Sequence, residues 1–249
     1  MTRSPELMFM SKRNDRLFRK RQGRNNDNGL PMNYAQEEIV RHLRELVEKL
    51  LANSPRCHDI DHTLRVLENA RRLVRFEGGD PFVVECAALL HDIGRLAEFA
   101  DNGKTCHALI GAEKAGGVLR QAGLEDSGQI QHIVACIATH RYRNRGSAVP
   151  ATIEARIIFD ADKLDSMGAV GIGRAFHFAG RIGARVHNRR EEALRGASYG
   201  SEDSAYREYL VKLCRLNDCL LTGEGRRLGC ERHRFMQEFF TRLEAETAN

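Results

Sequence analysis

The sequence predicts an all-α fold built as one domain. After residue 33, apolar residues recur three and four positions apart through most of the chain, which is the spacing of amphipathic helices. Sustained alternation of apolar and polar residues, which is typical of half-buried strands, is not found, and neither are internal repeats. Since 249 residues can bury a substantial core, we expect the helices to pack into a single bundle.

The first three helices are predicted from apolar periodicity and from the signals at their ends. An apolar stripe over residues 34–51 ends at Ser54-Pro55, and a second helix over residues 62–76 ends at Gly78-Gly79. The third predicted helix, over residues 82–92, is apolar on most of its faces. Because a helix without a polar face is buried, the third helix is expected to lie at the centre of the bundle.

Five more helices follow in the second half of the chain. They are predicted over residues 107–122, 127–140, 153–164, 206–221 and 225–246. The small residues of Gly168–Arg174 permit close packing between helices, and Gly196–Ser204 is predicted to be a loop or flap.

The net charge of the chain is concentrated near its start. The first 33 residues contain eight Lys or Arg and three acidic residues, whereas the remainder has 31 residues of each sign. We therefore predict a basic, disordered extension over residues 1–33 and a neutral globular domain over residues 34–249. The neutral domain offers no electrostatic argument for nucleic-acid binding.

Cysteine usage and hydropathy indicate a cytoplasmic protein. The seven cysteines are scattered and form no C-x-x-C pair, which favours a reducing compartment. No apolar stretch is long enough to cross a bilayer, and no signal-peptide pattern opens the sequence.

The stretch Ala87–Arg95 joins an apolar run to the adjacent pair His91 and Asp92, followed by a glycine and a cation. Adjacent residues on a helix point about 100° apart, so both side chains rarely face one core. Both can nevertheless reach a metal ion that lies beyond the last turn of the helix. In the other interpretation the pair only ends a core helix, with Gly94 as the stop signal. This stretch alone leaves both interpretations open.

Further His and Asp residues lie at the ends of the predicted helices or on one face of them. They are His62, His107 and His140 at helix ends, and Asp160, Asp162 and Asp165 on the sixth helix. A single histidine in such a position is commonly a solvated or capping residue. A set of three or more imidazoles with carboxylates instead suits divalent first-row ions.

Taken in order, these residues belong to motifs that resemble a known family. The segments HTLRV (62–66), HDIGR (91–95) and DADKLD (160–165) resemble the H…HD…D signature of the HD-domain metal-dependent phosphohydrolases. HALIGA (107–112) and IATH (137–140) look like the additional histidines of the HDIG-type members. The resemblance extends over most of the chain. Within the family, the sequence is similar to a small stand-alone bacterial subfamily. It implies a single HD-domain helical bundle with a metal site at its centre.

The resemblance also implies a set of metal ligands. Position by position, the core metal would be held by His62, His91, Asp92 and Asp162, with Asp160 as the competitor of Asp162. His107 and His140 match the ligands of a second metal bridged through Asp92 in binuclear relatives, or face the substrate in mononuclear ones. The implied cofactor is one or two divalent ions of Mn, Fe, Co, Ni, Mg or Zn.

Catalytic and substrate-binding roles are expected next to these ligands. Asp92, Arg95 and His58 are the candidate catalytic residues, with His58 as an acid or base. Arg95, Lys163 and Arg141 are candidates for binding the substrate phosphate. The alternatives are that Lys163 points to solvent and that Arg141 belongs to a solvated loop.

The function implied is a metal-dependent phosphohydrolase that cleaves a phosphoester or phosphoanhydride bond of a nucleotide by metal-activated water. One alternative is a di-iron oxygenase of the same superfamily that acts on a small polyol or phosphonate. Another is a non-catalytic nucleotide- or RNA-binding protein that uses the basic extension. The expected partner is a small phosphorylated substrate rather than a membrane or a nucleic acid, and a homodimer is compatible with the sequence.

Overall fold

The computed structural model describes residues 31–54, 58–101, 104–141 and 149–247. These residues form helices and no strand, which confirms the predicted all-α class. The helices are α1 Tyr34–Leu50, α2 Ile60–Glu77, α3 Pro81–Leu90, α4 Arg95–Ala100, α5 His107–Gln121, α6 Ser127–Thr139, α7 Ile153–Asp165, α8 Gly168–Arg181, α9 Arg190–Arg195, α10 Ala205–Val211 and α11 Gly223–Thr247. Residues 1–30 of the predicted basic extension lie outside the described ranges.

Helix α3 lies at the centre of the bundle, as predicted. Every residue from Phe82 to Leu90 is buried, including the charged Glu85, which forms a bidentate ion pair with Arg71. Helices α1, α2, α6 and α7 all pack against α3. The end of this central helix therefore lies deep inside the protein, and whatever follows it is enclosed by the surrounding helices.

Side-chain caps determine where α2 and α3 begin. The Asp59 carboxylate accepts hydrogen bonds from the backbone N–H groups of Asp61 and His62, at 3.1 and 3.3 Å, so α2 begins at Ile60. The Asp80 carboxylate accepts from the N–H of Phe82 at 2.9 Å, and a proline occupies the first turn of α3. The cap of α2 places His62 in its first turn, with its side chain fully buried.

The structure corrects the predicted end of the third helix. The helix ends at Leu90 and not at Asp92, because the chain tightens there into a turn with hydrogen bonds between residues three apart. The N–H of Ile93 donates to the carbonyl of Leu90, and the N–H of Arg95 donates to that of Asp92. His91 and Asp92 therefore lie in a buried turn, which we call the HD turn (residues 91–94), and the short helix α4 that follows was not predicted.

The predicted helix over residues 206–221 is interrupted. Helix α10 ends at Val211, and two 3₁₀ turns, Leu213–Arg215 and Asn217–Cys219, replace its second half. Leu213, Leu216 and Leu220 are still buried. Because a 3₁₀ turn places residues three apart on one face, its apolar pattern resembles that of an α-helix, which explains the error.

The predicted close packing at Gly168 and the predicted loop at residues 196–204 are both found. A Cβ atom at Gly168 would lie 3.1 Å from the Arg232 side chain of α11. Residues 196–204 connect the short helices α9 and α10. None of the described helices combines the length and the hydropathy that a membrane span requires.

Candidate metal centre

The HD turn is positioned by a close approach to α5. Gly94 lies against the backbone of α5, where a Cβ atom would clash with the carbonyl oxygen of His107 and would lie 2.6 Å from the amide nitrogen of Gly111. Gly111 in turn faces the HD turn, since a Cβ there would lie 3.4 Å from the carbonyl oxygen of His91. Two glycines thus allow Asp92 and His107 to come close together.

The predicted ligands of the core metal converge at the HD turn. The Nε2 atom of His62 lies 3.3 Å from Nε2 of His91 and 3.4 Å from Oδ2 of Asp92. It also lies 3.6 Å from Oδ1 of Asp162, on α7. All four residues are buried, and three of them form a group whose ligand atoms are close enough to hold one metal ion.

His107 and His140 form a second group on the other side of Asp92. Their Nε2 atoms lie 3.2 Å apart, and they lie 3.5 and 3.8 Å from Oδ1 of Asp92. Both residues are buried. The two carboxylate oxygens of Asp92 therefore face different histidines, with Oδ2 toward His62 and Oδ1 toward His107 and His140.

The hydrogen bonds of the Nδ1 atoms fix the orientation of these rings. Nδ1 of His91 donates to the carbonyl of Ala88 and Nδ1 of His140 to the carbonyl of Ile137, each at 2.7 Å. Nδ1 of His62 lies 2.7 Å from a carboxylate oxygen of Asp165. Since a carbonyl only accepts, Nδ1 carries a proton in both rings, and Nε2 of each ring faces the centre.

Nδ1 of His107 lies 2.8 Å from a carboxylate oxygen of Glu98, which is an ion-pair contact, and its Nε2 faces that of His140 at 3.2 Å. The His62–His91 pair has the same arrangement. Facing lone pairs repel unless a cation lies between them, and the ligand atoms of a metal ion are about 3.0–3.4 Å apart when each is about 2.1 Å from the ion. The residues present therefore fit a divalent metal ion.

The protonation states also suit metal binding. Burial lowers the pKa of His91 to about 3 and that of His107 to about 4, so both rings are neutral near pH 7. Burial tends to raise the pKa of the Asp92 carboxyl, but the Arg95 guanidinium and the surrounding histidines together outweigh this and hold that pKa well below its usual range. Burial acts in the same way on Asp162, whose pKa is also held low by Lys163 together with the neighbouring histidines. Neutral imidazoles and ionised carboxylates are the forms that bind metals.

Asp160 lies apart from this centre. Its carboxylate accepts hydrogen bonds from the N–H groups of Leu221 and Thr222, at 2.9 and 2.8 Å, and from the Thr222 hydroxyl at 2.6 Å. These bonds fix the chain at the start of α11, on the side of α7 away from the histidines. Of the two competing aspartates, the structure brings only Asp162 to the other predicted ligands.

Two carboxylates next to the centre had no role assigned from the sequence. Asp165 contacts His62 and also accepts from Arg65 at 2.7 Å and from Arg174 at 2.9 Å. Glu98, on the unpredicted helix α4, contacts His107. The spacing of Asp165 three residues after Asp162 was a usable signal, since such residues share a helix face. Glu98 gave no such signal.

A cavity of about 270 Å³ opens beside the centre and brings together the predicted catalytic and phosphate-binding residues. Its lining includes His58, Arg95, Arg141, Lys163 and Asp162. Nδ1 of His58 lies 3.1 Å from Oδ2 of Asp92. Burial and the Arg95 charge lower the pKa of His58 well below its usual value.

The cations of the cavity are held by carboxylates. Arg95 makes two hydrogen bonds to Asp92, at 2.8 and 3.2 Å, and one to Glu98 at 2.6 Å. Arg141 donates to the other oxygen of Glu98 at 2.7 Å. Lys163 does not point to solvent: it is buried and donates to Asp162 and to the carbonyl of His140, at 2.6 and 2.7 Å. Residues 142–148, which complete the predicted arginine-rich loop, lie outside the described ranges.

The fold and the centre together define an all-helical protein with a buried cluster of histidines and aspartates. Comparison with known proteins shows the family to which such a protein belongs. The profile of the HD domain matches residues 59–167. The chain is 34% identical over 206 residues to the protein YpgQ of Bacillus subtilis. The aligned region covers 82% of this chain and 91% of YpgQ. This chain therefore belongs to the HD-domain family.

Solved structures agree with this assignment. The crystal structure of Bacillus subtilis YpgQ in complex with ADP matches with a TM-score of 0.67 and 28% identity, covering 86% of this chain and 98% of that one. An HD-superfamily hydrolase from Bacillus thuringiensis matches with a TM-score of 0.63 and 27% identity, covering 86% and 100%. The predicted family is thereby confirmed.

Proposed function

We propose that this protein is a divalent-metal-dependent phosphohydrolase that cleaves a phosphoester or phosphoanhydride bond of a nucleotide. The observation that carries the proposal is the position of Asp92, whose two carboxylate oxygens lie between two sets of histidine Nε2 atoms beside a cavity lined by cations. The relative YpgQ has been crystallised with ADP, which supports a nucleotide as the ligand class.

The centre would hold the metal through the residues described above. His62, His91, Asp92 and Asp162 would bind the first ion, and His107, His140 and the second oxygen of Asp92 would bind another. When bound, such ions lower the pKa of a coordinated water toward neutrality and neutralise charge on a phosphoryl oxygen. Histidine and carboxylate ligands suit Mn, Fe, Co, Ni or Zn.

The remaining residues of the cavity would bind and orient the substrate. The Arg95 and Arg141 guanidinium groups are held in place by Glu98, so they can donate to phosphate oxygens with little loss of side-chain entropy. His58 is neutral and partly exposed to the cavity, so the ring nitrogen that does not face Asp92 can take up or release a proton there. Arg174, which contacts both His58 and Asp165, keeps that ring next to Asp92.

The function is tested by metal analysis of the full-length chain, followed by a hydrolysis screen of phosphoesters and nucleotides. We expect one or two equivalents of a divalent metal and hydrolysis of at least one nucleotide, both lost in the His91→Ala/Asp92→Ala double variant. Unchanged hydrolysis in that variant would contradict the assigned centre. Oxygen consumption by an iron-loaded sample, without hydrolysis, would instead support the oxygenase alternative.

Glu98 provides a sharper test of the second ion. The Glu98→Gln variant removes the charge that orients His107, so we expect the affinity of the second Mn²⁺ to fall about 10- to 100-fold while the first is unchanged. The measurement is calorimetric titration of the metal-stripped protein with Mn²⁺.

The matched control for Glu98 is Glu85, another buried glutamate that pairs with an arginine, but on α3 and without a contact to the predicted metal ligands in the described part of the chain. Glu85→Gln should lower the free energy of unfolding and leave both Mn²⁺ affinities unchanged. If Glu98→Gln also binds both ions as the wild type does, Glu98 has no part in a second metal site.

A further inference from the structure

The cavity continues away from the metal centre along one face of α8. Gly171, Arg174, Ala175 and Phe178 line it, which is the spacing of residues on a single helix face. Arg174 contacts Asp165 and His58 next to the centre, whereas Phe178 lies one helical turn, or about 6 Å, further along. The cavity therefore has a charged end at the metal ligands and a second end at Phe178.

The second end is formed by two aromatic rings. Tyr199, from the loop of residues 196–204, meets Phe178 edge to face, with ring centroids 5.7 Å apart and an interplanar angle of 73°. Tyr199 is about half exposed and Phe178 is partly buried, and both side chains line the cavity. This end thus presents aromatic ring surface to a ligand bound in the cavity.

The backbone at Tyr199 is unusual for an aromatic residue. Its φ of 64° is the one positive φ of a non-glycine residue in the described part of the chain. A bulky side chain in this region costs about 1 kcal/mol or more, and such conformations occur most often at functional sites. The N–H of Tyr199 donates to the Asp203 carboxylate at 2.7 Å, which holds the strained residue in place.

The charged residues around the two rings are paired with one another. Arg207 contacts Asp203 at 2.8 Å, and Lys212 contacts Glu208 at 2.6 Å. Since these charges are balanced within pairs and two aromatic rings lie beside them, this end of the cavity is suited to a flat uncharged group. Arg95 and Lys163, the cations next to the predicted metal ligands, lie at the other end.

We propose that Tyr199 and Phe178 form the binding subsite for the base of the substrate, with the phosphates directed toward Arg95 and Lys163. This inference rests on the proposed function and makes Tyr199 a specificity-determining residue that favours a nucleotide over a bare polyphosphate. Stacking of a base on an aromatic side chain depends on ring surface and not on hydrogen bonds, so it tolerates different bases.

The test compares the binding of ADP and of inorganic pyrophosphate to the full-length chain by calorimetry in the presence of Mn²⁺. Tyr199→Gly removes the ring and suits the positive φ, so the variant should fold as well as the wild type. We expect Tyr199→Gly to weaken ADP binding about tenfold and to leave pyrophosphate binding within twofold of wild type. Tyr199→Phe, which keeps the ring, should bind ADP as the wild type does.

A second variant probes the same subsite from the helix side. Phe178→Leu keeps an apolar side chain on α8 but removes the ring, and it should also weaken ADP and not pyrophosphate. The inference is overturned if the wild type binds ADP no more tightly than pyrophosphate, or if the variants weaken both ligands equally or neither of them. Because the readout is binding, a lack of hydrolysis would contradict the proposed function while the base subsite is still decided by these affinities.

Discussion

Replacing Asp92 with asparagine is expected to abolish binding of both metal ions and to lower hydrolysis at least about 1000-fold. Asp92 is the residue whose two oxygens face both histidine groups, so its charge is required on each side. Loss of metal charge stabilisation worth about 4 kcal/mol corresponds to this factor. The measurements are metal content after dialysis and the hydrolysis rate of the nucleotide found in the screen.

The chain offers a matched control for this variant. Asp160 is also a buried aspartate, but its carboxylate binds the backbone at the start of α11. Asp160→Asn places an amide N–H₂ against N–H donors, which should lower the free energy of unfolding by about 2 kcal/mol and leave the metal content unchanged. Asp162→Asn should lose metal as Asp92→Asn does. If Asp160→Asn loses metal and Asp162→Asn keeps it, the ligand assignment on α7 is wrong.

Adding a methyl group to the HD turn through Gly94→Ala is expected to lower the free energy of unfolding strongly. The new Cβ would clash with the carbonyl of His107 and lie 2.6 Å from the amide nitrogen of Gly111. Both are backbone atoms of α5, so neither can move without shifting the helix. We expect the free energy of unfolding to fall by about 3 kcal/mol, measured by urea denaturation of the metal-stripped protein.

The same substitution should weaken the second metal site, because it pushes α5 and its His107 away from Asp92. Gly117→Ala is the control, since Gly117 lies on the exposed side of the same helix and nothing lies within 4 Å of its Cβ position. That variant should gain up to about 1 kcal/mol from helix propensity. A Gly94→Ala variant as stable as Gly117→Ala would show that the HD turn and α5 are not in close contact.

Local sequence patterns were sufficient to predict most of this fold. Seven of the eight described helices of ten residues or more, the central position of α3 and the loop over residues 196–204 follow from periodicity and end signals that act over a few residues. The glycine-rich helix α8 was predicted only as a closely packed stretch. The ends of elements were less predictable where tertiary contacts decide them. The packing of Gly94 on α5 ends α3 two residues early, and Asp160 fixes the backbone at Leu221.

In the candidate centre, too, local patterns predict some features and tertiary contacts decide the others. Histidines at successive helix ends, together with the family resemblance, predict the residues that converge on Asp92. The choice between Asp160 and Asp162 needs the rotation of α7, which sequence spacing does not supply. Glu98 was missed because it lies in a six-residue helix without periodicity and contacts Arg141, which is 43 positions away in the sequence.

The convergence on Asp92 has a consequence for the whole domain. The predicted ligands come from α2, the HD turn, α5, α7 and the end of α6, which lie far apart in the sequence and meet only in the folded bundle. One bound ion would therefore crosslink three of these segments, and two ions that share Asp92 would crosslink all five between residues 62 and 162. At a free concentration 100 times its dissociation constant, one such ion adds about 2.7 kcal/mol to folding. The supply of metal would then change the stability of this fold.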